Sequence, residues 1–292
     1  MYTPKELTPN NENVSERVLQ DIRDALDGIY DVVTAEFDPR EIRATLSYWS
    51  PQLIFNLAYG YTMREAQTSL RQPEVAAILE SSRIPMIGSS AAVQLLVQDK
   101  LVTGWLLRQM GMRAPRDLAE LGCLDPKAQV VVKPRFGACH QGVHLISKGS
   151  FEARTDDVMC QEYLPGREFS VGVIEESGDI TAMRPVEIKG DRDPIFLGLA
   201  DFQHAYRAAD DYVDVLTKKS IDAFRNLGLR DYARFDIRMA DDEPVFLDVN
   251  ALPNLDREVS LLPYAAKISG VSFGQLIRTI TQNAAHRNGV VQ

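Results

Sequence analysis

Two strand-like runs near the C-terminus, Tyr232-Ala-Arg-Phe-Asp-Ile-Arg-Met239 and Pro244-Val-Phe-Leu-Asp-Val-Asn250, flank the polar tetrapeptide Ala240-Asp241-Asp242-Glu243 and read together as a β-hairpin. Period-two alternation puts Arg234, Asp236 and Arg238 on one face and Asp248 and Asn250 on one face of the partner strand. If the four-residue turn sets the register, Asp236 lies opposite Asp248 and Arg234 opposite Asn250. Like charges directly opposite each other destabilise a sheet, so this hairpin calls for a cation between the carboxylates. An all-oxygen set of Asp236, Asp248 and Asn250 suits Mg2+, which is commonly held by few protein groups and bridges to substrate phosphates. The hairpin alone is equally compatible with a solvated polar face on an edge hairpin.

Two further segments carry groups suited to phosphate and nucleoside. Lys133-Pro-Arg-Phe-Gly-Ala-Cys-His-Gln-Gly142 places a lysine at the close of a strand and glycines at both ends of a loop, which lets backbone N–H groups approach phosphate oxygens. It is not a Walker A sequence, and taken alone it reads better as an ordinary hairpin loop. Cys139 and His140 are adjacent in an extended stretch and point apart, so they do not form a nucleophile and base. The four histidines lack metal-ligand spacing, which argues against zinc. Gln161-Glu-Tyr-Leu-Pro-Gly-Arg-Glu168 joins two strands through Pro-Gly, where an extended backbone can read an adenine edge and a following carboxylate can reach ribose hydroxyls. A plain hairpin explains this segment at least as well.

These residues must be positioned by a chain of 292 residues, long enough for two or three modest domains. Its net charge of −9 opposes binding to nucleic acid or anionic lipid. Three cysteines without a CxxC pair point to a reducing compartment, and no apolar run approaches membrane length, so a cytoplasmic enzyme is expected. Apolar spacing at positions 14, 18, 19, 22 and 26, behind caps at Asn13 or Ser15 and ended by Gly28, predicts an amphipathic helix. Strands at 53–57 and 84–88 with a helix at 74–81 between them continue an α/β alternation, and helical spacing then runs over 90–110. Strand-like runs at 129–134, 142–146, 158–164 and 168–174 imply a mostly antiparallel sheet, with a further strand near 182–188 and a poorly periodic stretch to about 207. A helix at 211–227 precedes the hairpin, and Ser272-Phe-Gly-Gln275 is a capping box for a terminal helix.

In combination and in this order, Val132-Lys-Pro, the glycine-bounded loop, Gln161-Glu-Tyr-Leu-Pro-Gly-Arg-Glu-Phe, Arg234-Phe-Asp and Leu247-Asp-Val-Asn-Ala-Leu-Pro resemble the ATP-grasp superfamily, and within it the D-alanine:D-alanine ligases. The resemblance extends to Ile84-Pro-Met-Ile-Gly-Ser89, Asp99-Lys100, Ser260-Leu-Leu-Pro263 and Gly270-Val-Ser-Phe, and so covers most of the chain. It implies an α/β (α+β) fold of three domains, over 1–90, 91–175 and 176–292, the latter two clasping ATP between mainly antiparallel sheets. It implies that Lys100 and Lys133 hold the α and β phosphates under a lid containing Ala138, Cys139 and His140. Gln161, with the backbones of Tyr163 and Leu164, is placed at the adenine and Glu168 at the ribose. Asp236, Asp248 and Asn250 become ligands for two Mg2+ ions, and Arg234 stabilises charge on the transferring phosphoryl. Glu12, Asn254, Ser260 and Leu261 stand at amino-acid-binding positions.

The implied activity is a ligase that activates a carboxylate as an acyl phosphate and joins it to an amine, in a cytoplasmic homodimer acting on amino-acid-like substrates. The chain departs from the family in ways that cluster on the amino-acid pocket. The usual N-terminal strand with its Gly-Gly turn is missing, Asn11 stands at the acidic position with Glu12 beside it, and Pro-Gly-Met has become Pro253-Asn254-Leu255. Asp248 replaces a glutamate. D-alanine as both substrates is therefore one reading among three, beside a divergent dipeptide ligase or intramolecular cyclase and a nucleotide-binding regulator without turnover. Arg234 argues against the last, since a binder has no transition state to stabilise.

Overall fold

The computed structural model describes residues 1–2, 14–59, 71–121, 125–136, 142–151, 158–189 and 206–290. The chain opens with α1 (Glu16–Leu26), capped by the Ser15 hydroxyl on the Val18 amide and burying Val18, Ile22, Ala25 and Leu26. After α2 (Ile42–Trp49) come β1 (Ile54–Phe55), α3 (Arg71–Glu80) and β2 (Met86–Ile87), the two strands pairing in parallel. These strands are shorter than the apolar runs predict. The buried Asn56 turns its side chain onto the Ala58 amide (3.0 Å) and ends β1. Tyr2 forms isolated parallel bridges to Glu36 and Leu57.

The helical spacing over 90–110 divides into α4 (Ala91–Gln98) and α5 (Lys100–Gln109). Asp99 makes the break by accepting from the Leu101 and Val102 amides, which starts a new helix with Lys100 as its first residue. Next, β3 (Gln129–Pro134), β4 (His144–Ser147) and β5 (Val158–Glu162) form a small antiparallel sheet in the order β4-β3-β5.

A six-stranded sheet carries the C-terminal half. It contains β6 (Arg167–Glu176), β7 (Asp179–Ala182), β8 (Val186–Ile188), β9 (Tyr206–Ala208), β10 (Tyr232–Ala240) and β11 (Glu243–Asn250), with β11-β10-β6-β8-β9 as its path and β7 beside β6. Strand β6, which straddles the expected domain boundary at 175, pairs with β10 and β8 rather than with β5. Pro165-Gly166 is therefore a crossing between sheets and not the turn of a hairpin.

One face of the large sheet packs Phe169, Val171, Val173, Phe235 and Ile237 against α6 (Val213–Asn226). The other face, at its Ile174 and Tyr232 end, packs under α7 (Leu261–Ile268) and α8 (Phe273–Arg287), the latter opened by the Ser272–Gln275 capping box. Away from those helices the same face is polar. Asp231 joins the N-terminal elements to this sheet: fully buried, it accepts from the Gly88 amide (2.6 Å), from Asn283 Nδ2 (2.9 Å) and from Arg287.

Gly166 allows the crossing to pass against β10, since its φ is +148° and an added Cβ would lie 1.9 Å from the Met239 carbonyl oxygen. Gly28 also has positive φ, but an added Cβ there meets nothing within 4 Å. Chemical denaturation should accordingly show Gly166→Ala costing roughly 2–3 kcal/mol and Gly28→Ala about 1 kcal/mol. Equal losses would contradict the close approach at Gly166.

Candidate functional site

The β10–β11 turn is tighter than the tetrapeptide implies. Ala240 pairs with Glu243, and only Asp241 and Asp242 turn the chain, with φ of +54° and +60°. Aspartate tolerates this conformation, and two such residues in succession match the twist of the flanking strands. Continued unbroken, that register would set Asp236 against Leu247. A bulge between Asp236 and Ile237 shifts it by one residue, so that Asp236 pairs with Asp248 and Arg234 with Asn250. The expected pairing is present, produced by the bulge rather than by the length of the turn.

Cations surround the facing carboxylates. Arg234 donates to both Asp236 oxygens (3.0 and 2.8 Å), and the buried Ser170 hydroxyl on β6 donates to Asp236 Oδ1 (2.9 Å). Lys100, at the start of α5, donates to Asp248 Oδ1 at 3.0 Å. Burial pushes the Asp248 carboxyl up, but Lys100, Lys133 and Arg234 together outweigh this and hold it below its ordinary value. Burial opposes the charge on Arg234, and the Asp236 and Asp248 carboxylates more than restore it. Lys133, only 9% exposed on β3, is pushed down to about 8, first by burial and then by the charge of Lys100.

The donor set suits a hard cation. Asp236 and Asp248 supply carboxylate oxygens, and Asn250 Oδ1 accepts from the Leu252 amide (3.1 Å) while keeping a second lone pair. Among the described residues no group of three or more His, Cys, Asp or Glu is placed to hold a metal. Two carboxylates and an amide fit Mg2+, which keeps several waters and does not need a full protein cage. Beside them a small recess is lined by Lys100, Thr103, Gln161, Leu247 and Asp248, among others.

Gln161 is buried, with Nε2 3.4 Å from the Pro115 carbonyl oxygen, and it lines that recess. Tyr163, Leu164 and Glu168 converge on Arg238, to which sequence reasoning gave no role beyond its place on the face of Arg234 and Asp236. Arg238 donates to the Leu164 carbonyl oxygen (3.1 Å) and to Glu168 Oε2 (2.6 Å) and lies over the Tyr163 ring. Its period-two position was the available signal, together with the complementary charge of Glu168 directly opposite it.

Asn254 Oδ1 accepts from the Asp256 amide (2.8 Å) in the loop after β11. Ser260 is the N-cap of α7 but makes no side-chain capping bond, and Leu261 is the first helical residue. Pro263 lies in the first turn of this helix, which holds no acidic residue. Glu12, Ala138, Cys139 and His140 lie outside the described residues, as does most of the stretch after Lys189.

Residues 149–282 match the profile of the D-ala D-ala ligase C-terminus. An uncharacterized protein, y4sG, of Sinorhizobium fredii is 27% identical over 266 residues, 82% of this chain and 77% of that protein. The D-alanine--D-alanine ligase of Desulforudis audaxviator is 25% identical over 281 residues, 88% of this chain and 89% of that one. In fold, the chain is similar to the D-alanine--D-alanine ligase from Bacillus anthracis solved in complex with ATP. The TM-score is 0.67 at 18% identity over 96% of both chains.

The depressed Lys133 gives the site a pH dependence of definite sign. The ammonium is charged below about 8 and neutral above it, so affinity for a nucleoside triphosphate should fall as pH rises through that value. Calorimetric titrations between pH 7 and 9.5 should show this slope, and Lys133→Arg, which keeps its charge, should flatten it. A slope unchanged in Lys133→Arg would exclude Lys133 as its source.

Proposed function

We propose that this chain, a D-alanine:D-alanine ligase-like protein of ATP-grasp fold, is an ATP- and magnesium-dependent carboxylate-amine ligase that forms an amide between amino-acid-like substrates through an acyl phosphate. The observation that carries the reading is the register of the hairpin, which sets Asp236 against Asp248 with Arg234 and Lys100 bonded to them. Reactions at phosphorus need positioning and charge neutralisation more than covalent help, and these side chains are of that kind.

Asp236, Asp248 and Asn250 would hold the metal, which when bound supplies positive charge to the phosphates. Lys100 and Lys133 are assigned to the α and β phosphates, and Gln161, Tyr163 and Leu164 to the adenine. Glu168, fixed by Arg238, is assigned to the ribose. Arg234 would meet charge that develops on the transferring phosphoryl and then on the tetrahedral intermediate. The carboxylate of one substrate takes the phosphoryl, and the amine of the other displaces phosphate. Ser260 and Leu261, at the start of α7, suit the carboxylate of an amino-acid substrate. Among the described residues no helix is long and apolar enough to cross a membrane. A cytoplasmic homodimer completes the proposal.

Phosphate release, followed across D- and L-amino acids with mass spectrometry of the product, tests the reaction directly. Asp236→Asn should abolish ATP consumption while circular dichroism stays unchanged, and undiminished turnover would remove the metal assignment. Arg234→Ala should lower kcat by roughly 10²- to 10³-fold with a much smaller change in nucleotide affinity. Equal losses in the two would instead favour a nucleotide-binding regulator.

A further inference from the structure

Lys100 and Lys133 stand on different bodies of the molecule. Lys100 begins α5, whose Leu107 belongs to the core shared with α6 and the six-stranded sheet. Lys133 lies on β3 of the small sheet. Among the described residues, none of the three apolar cores includes a residue of β3, β4 or β5. The small sheet buries Val130, Met159 and Cys160 outside those cores, so no shared apolar core ties it to α5. The two lysines also repel, and the charge of Lys100 contributes to the depression of Lys133.

Polar contacts at two places hold the small sheet. On the β5 side, the segment between α5 and β3 stitches the sheets together. Arg113 bridges to Val245 of β11, Asp117 bridges to Gln161 of β5, and Arg116 pairs with Glu162 at 2.9 Å. At the end of β3, two residues beyond Lys133, Arg135 donates to both oxygens of Asp99 (2.9 and 2.6 Å). The Arg135 carbonyl oxygen also accepts from the Lys100 amide at 3.2 Å. Asp99 is 8% exposed and is itself fixed by the Leu101 and Val102 amides. Each member of this ion pair thus lies within two residues of one of the two lysines.

We propose that the Asp99–Arg135 pair is a strut that sets the spacing of Lys100 and Lys133, making both of its members positioning residues for the triphosphate. The proposal rests on the ligase reading for the identity of the ligand. Among the described residues, the stitch and the Arg238 contacts to Tyr163 and Leu164 hold the sheet along its β5 side, and alone they leave the β3 end free to swing about that edge. With the strut added, two anchors on different strands fix its orientation, and the repulsion between the lysines is borne by a bidentate, partly buried ion pair. Misplacement of phosphate-binding groups by about 1 Å is enough to cost orders of magnitude in a site that works by positioning.

The test compares the unmodified chain with Arg135→Ala, Arg135→Lys, Asp99→Asn and the Arg135→Ala/Asp99→Asn double variant. Calorimetry reads the Kd of a non-hydrolysable ATP analogue, steady-state kinetics the KM values, and hydrogen exchange the protection of 129–134. Arg135→Ala should weaken analogue binding at least tenfold and raise the KM for ATP without changing that for the amino acid. Arg135→Lys should recover part of the loss, and the double variant should bind no worse than the weaker single variant, because both lose one shared contact. Analogue binding by Arg135→Ala as tight as in the unmodified chain, or losses that add in the double variant, would overturn the strut. Should the unmodified chain itself fail to bind the analogue, the ligase reading falls. The strut is then judged by hydrogen exchange alone, where unchanged protection of 129–134 in Arg135→Ala overturns it.

Discussion

Two carboxylates held face to face on neighbouring strands are the constraint from which the arrangement of this protein follows. Asp236 and Asp248 are locked opposite each other by the backbone ladder and cannot separate without breaking it. Such a pair is unfavourable until positive charge is brought to it. The chain brings it from distant parts of the sequence: Arg234 from the same strand, Lys100 from the start of α5, and Lys133 from the small sheet. This explains why a helix must begin at residue 100, where its first side chain reaches Asp248, and why Asp99 interrupts a stretch whose apolar spacing would support one continuous helix. The excess of cations over carboxylates at the site is what an anionic ligand would neutralise in turn.

The large sheet can present such a face because its two sides are stabilised differently. On the α6 side, apolar residues of β6, β10 and β11 form a continuous core. On the opposite side, α7 and α8 cover only one end, where the lack of a side chain at Gly172 admits Leu262, whose Cδ1 would lie 2.5 Å from an added Cβ. The uncovered end keeps Glu168, Ser170, Asp236 and Arg238 together in hydrogen-bonded pairs, with Arg238 Nε the one buried polar side-chain atom among them that has no partner. Buried polar groups are tolerated when satisfied in this way, and here the partners come from adjacent strands whose relative position is already fixed. Rigidity of the site is thus a by-product of the sheet core.

Much of this was legible in the sequence, for reasons specific to each element. Period-two alternation in β10 and β11 identified the polar face, and Ser15, Gly28 and the Ser272–Gln275 box marked helix ends where the structure has them. The pairing of Asp236 with Asp248 was expected from a four-residue turn, but the bulge that produces it leaves no signal in residue type. The break at Asp99 was hidden because α4 and α5 share helical spacing, and only the ability of an aspartate to cap could have revealed it. Gln161–Glu168 read as a hairpin because Pro-Gly is a strong turn signal. That β5 and β6 belong to different sheets is a tertiary fact, set by the pairing of β6 with β10 and β8. The role of Arg238 was obscured for the same reason, since its partners at 164 and 168 are distant in sequence.

The character of the chemistry also follows from which side chains near the site are committed elsewhere. Ser170, opposite Asp236 in the ladder, hydrogen-bonds that carboxylate, but Arg234 already holds both Asp236 oxygens, which makes the carboxylate a poor base toward the hydroxyl. Cys160, one residue before Gln161, is buried, and burial pushes its thiol up to about 11, far from a reactive thiolate at neutral pH. Neither residue is set up as a nucleophile, whereas Arg234, Lys100 and, below about pH 8, Lys133 bring positive charge to two carboxylates. A site of that composition contributes by orienting anionic reactants and offsetting their charge, and leaves bond formation to the substrates themselves. Where the sequence departs from the ligases it resembles, in the loop after β11, Asn254 is spent on a local turn, accepting from the Asp256 amide, and is not tied to the carboxylates of β10 and β11.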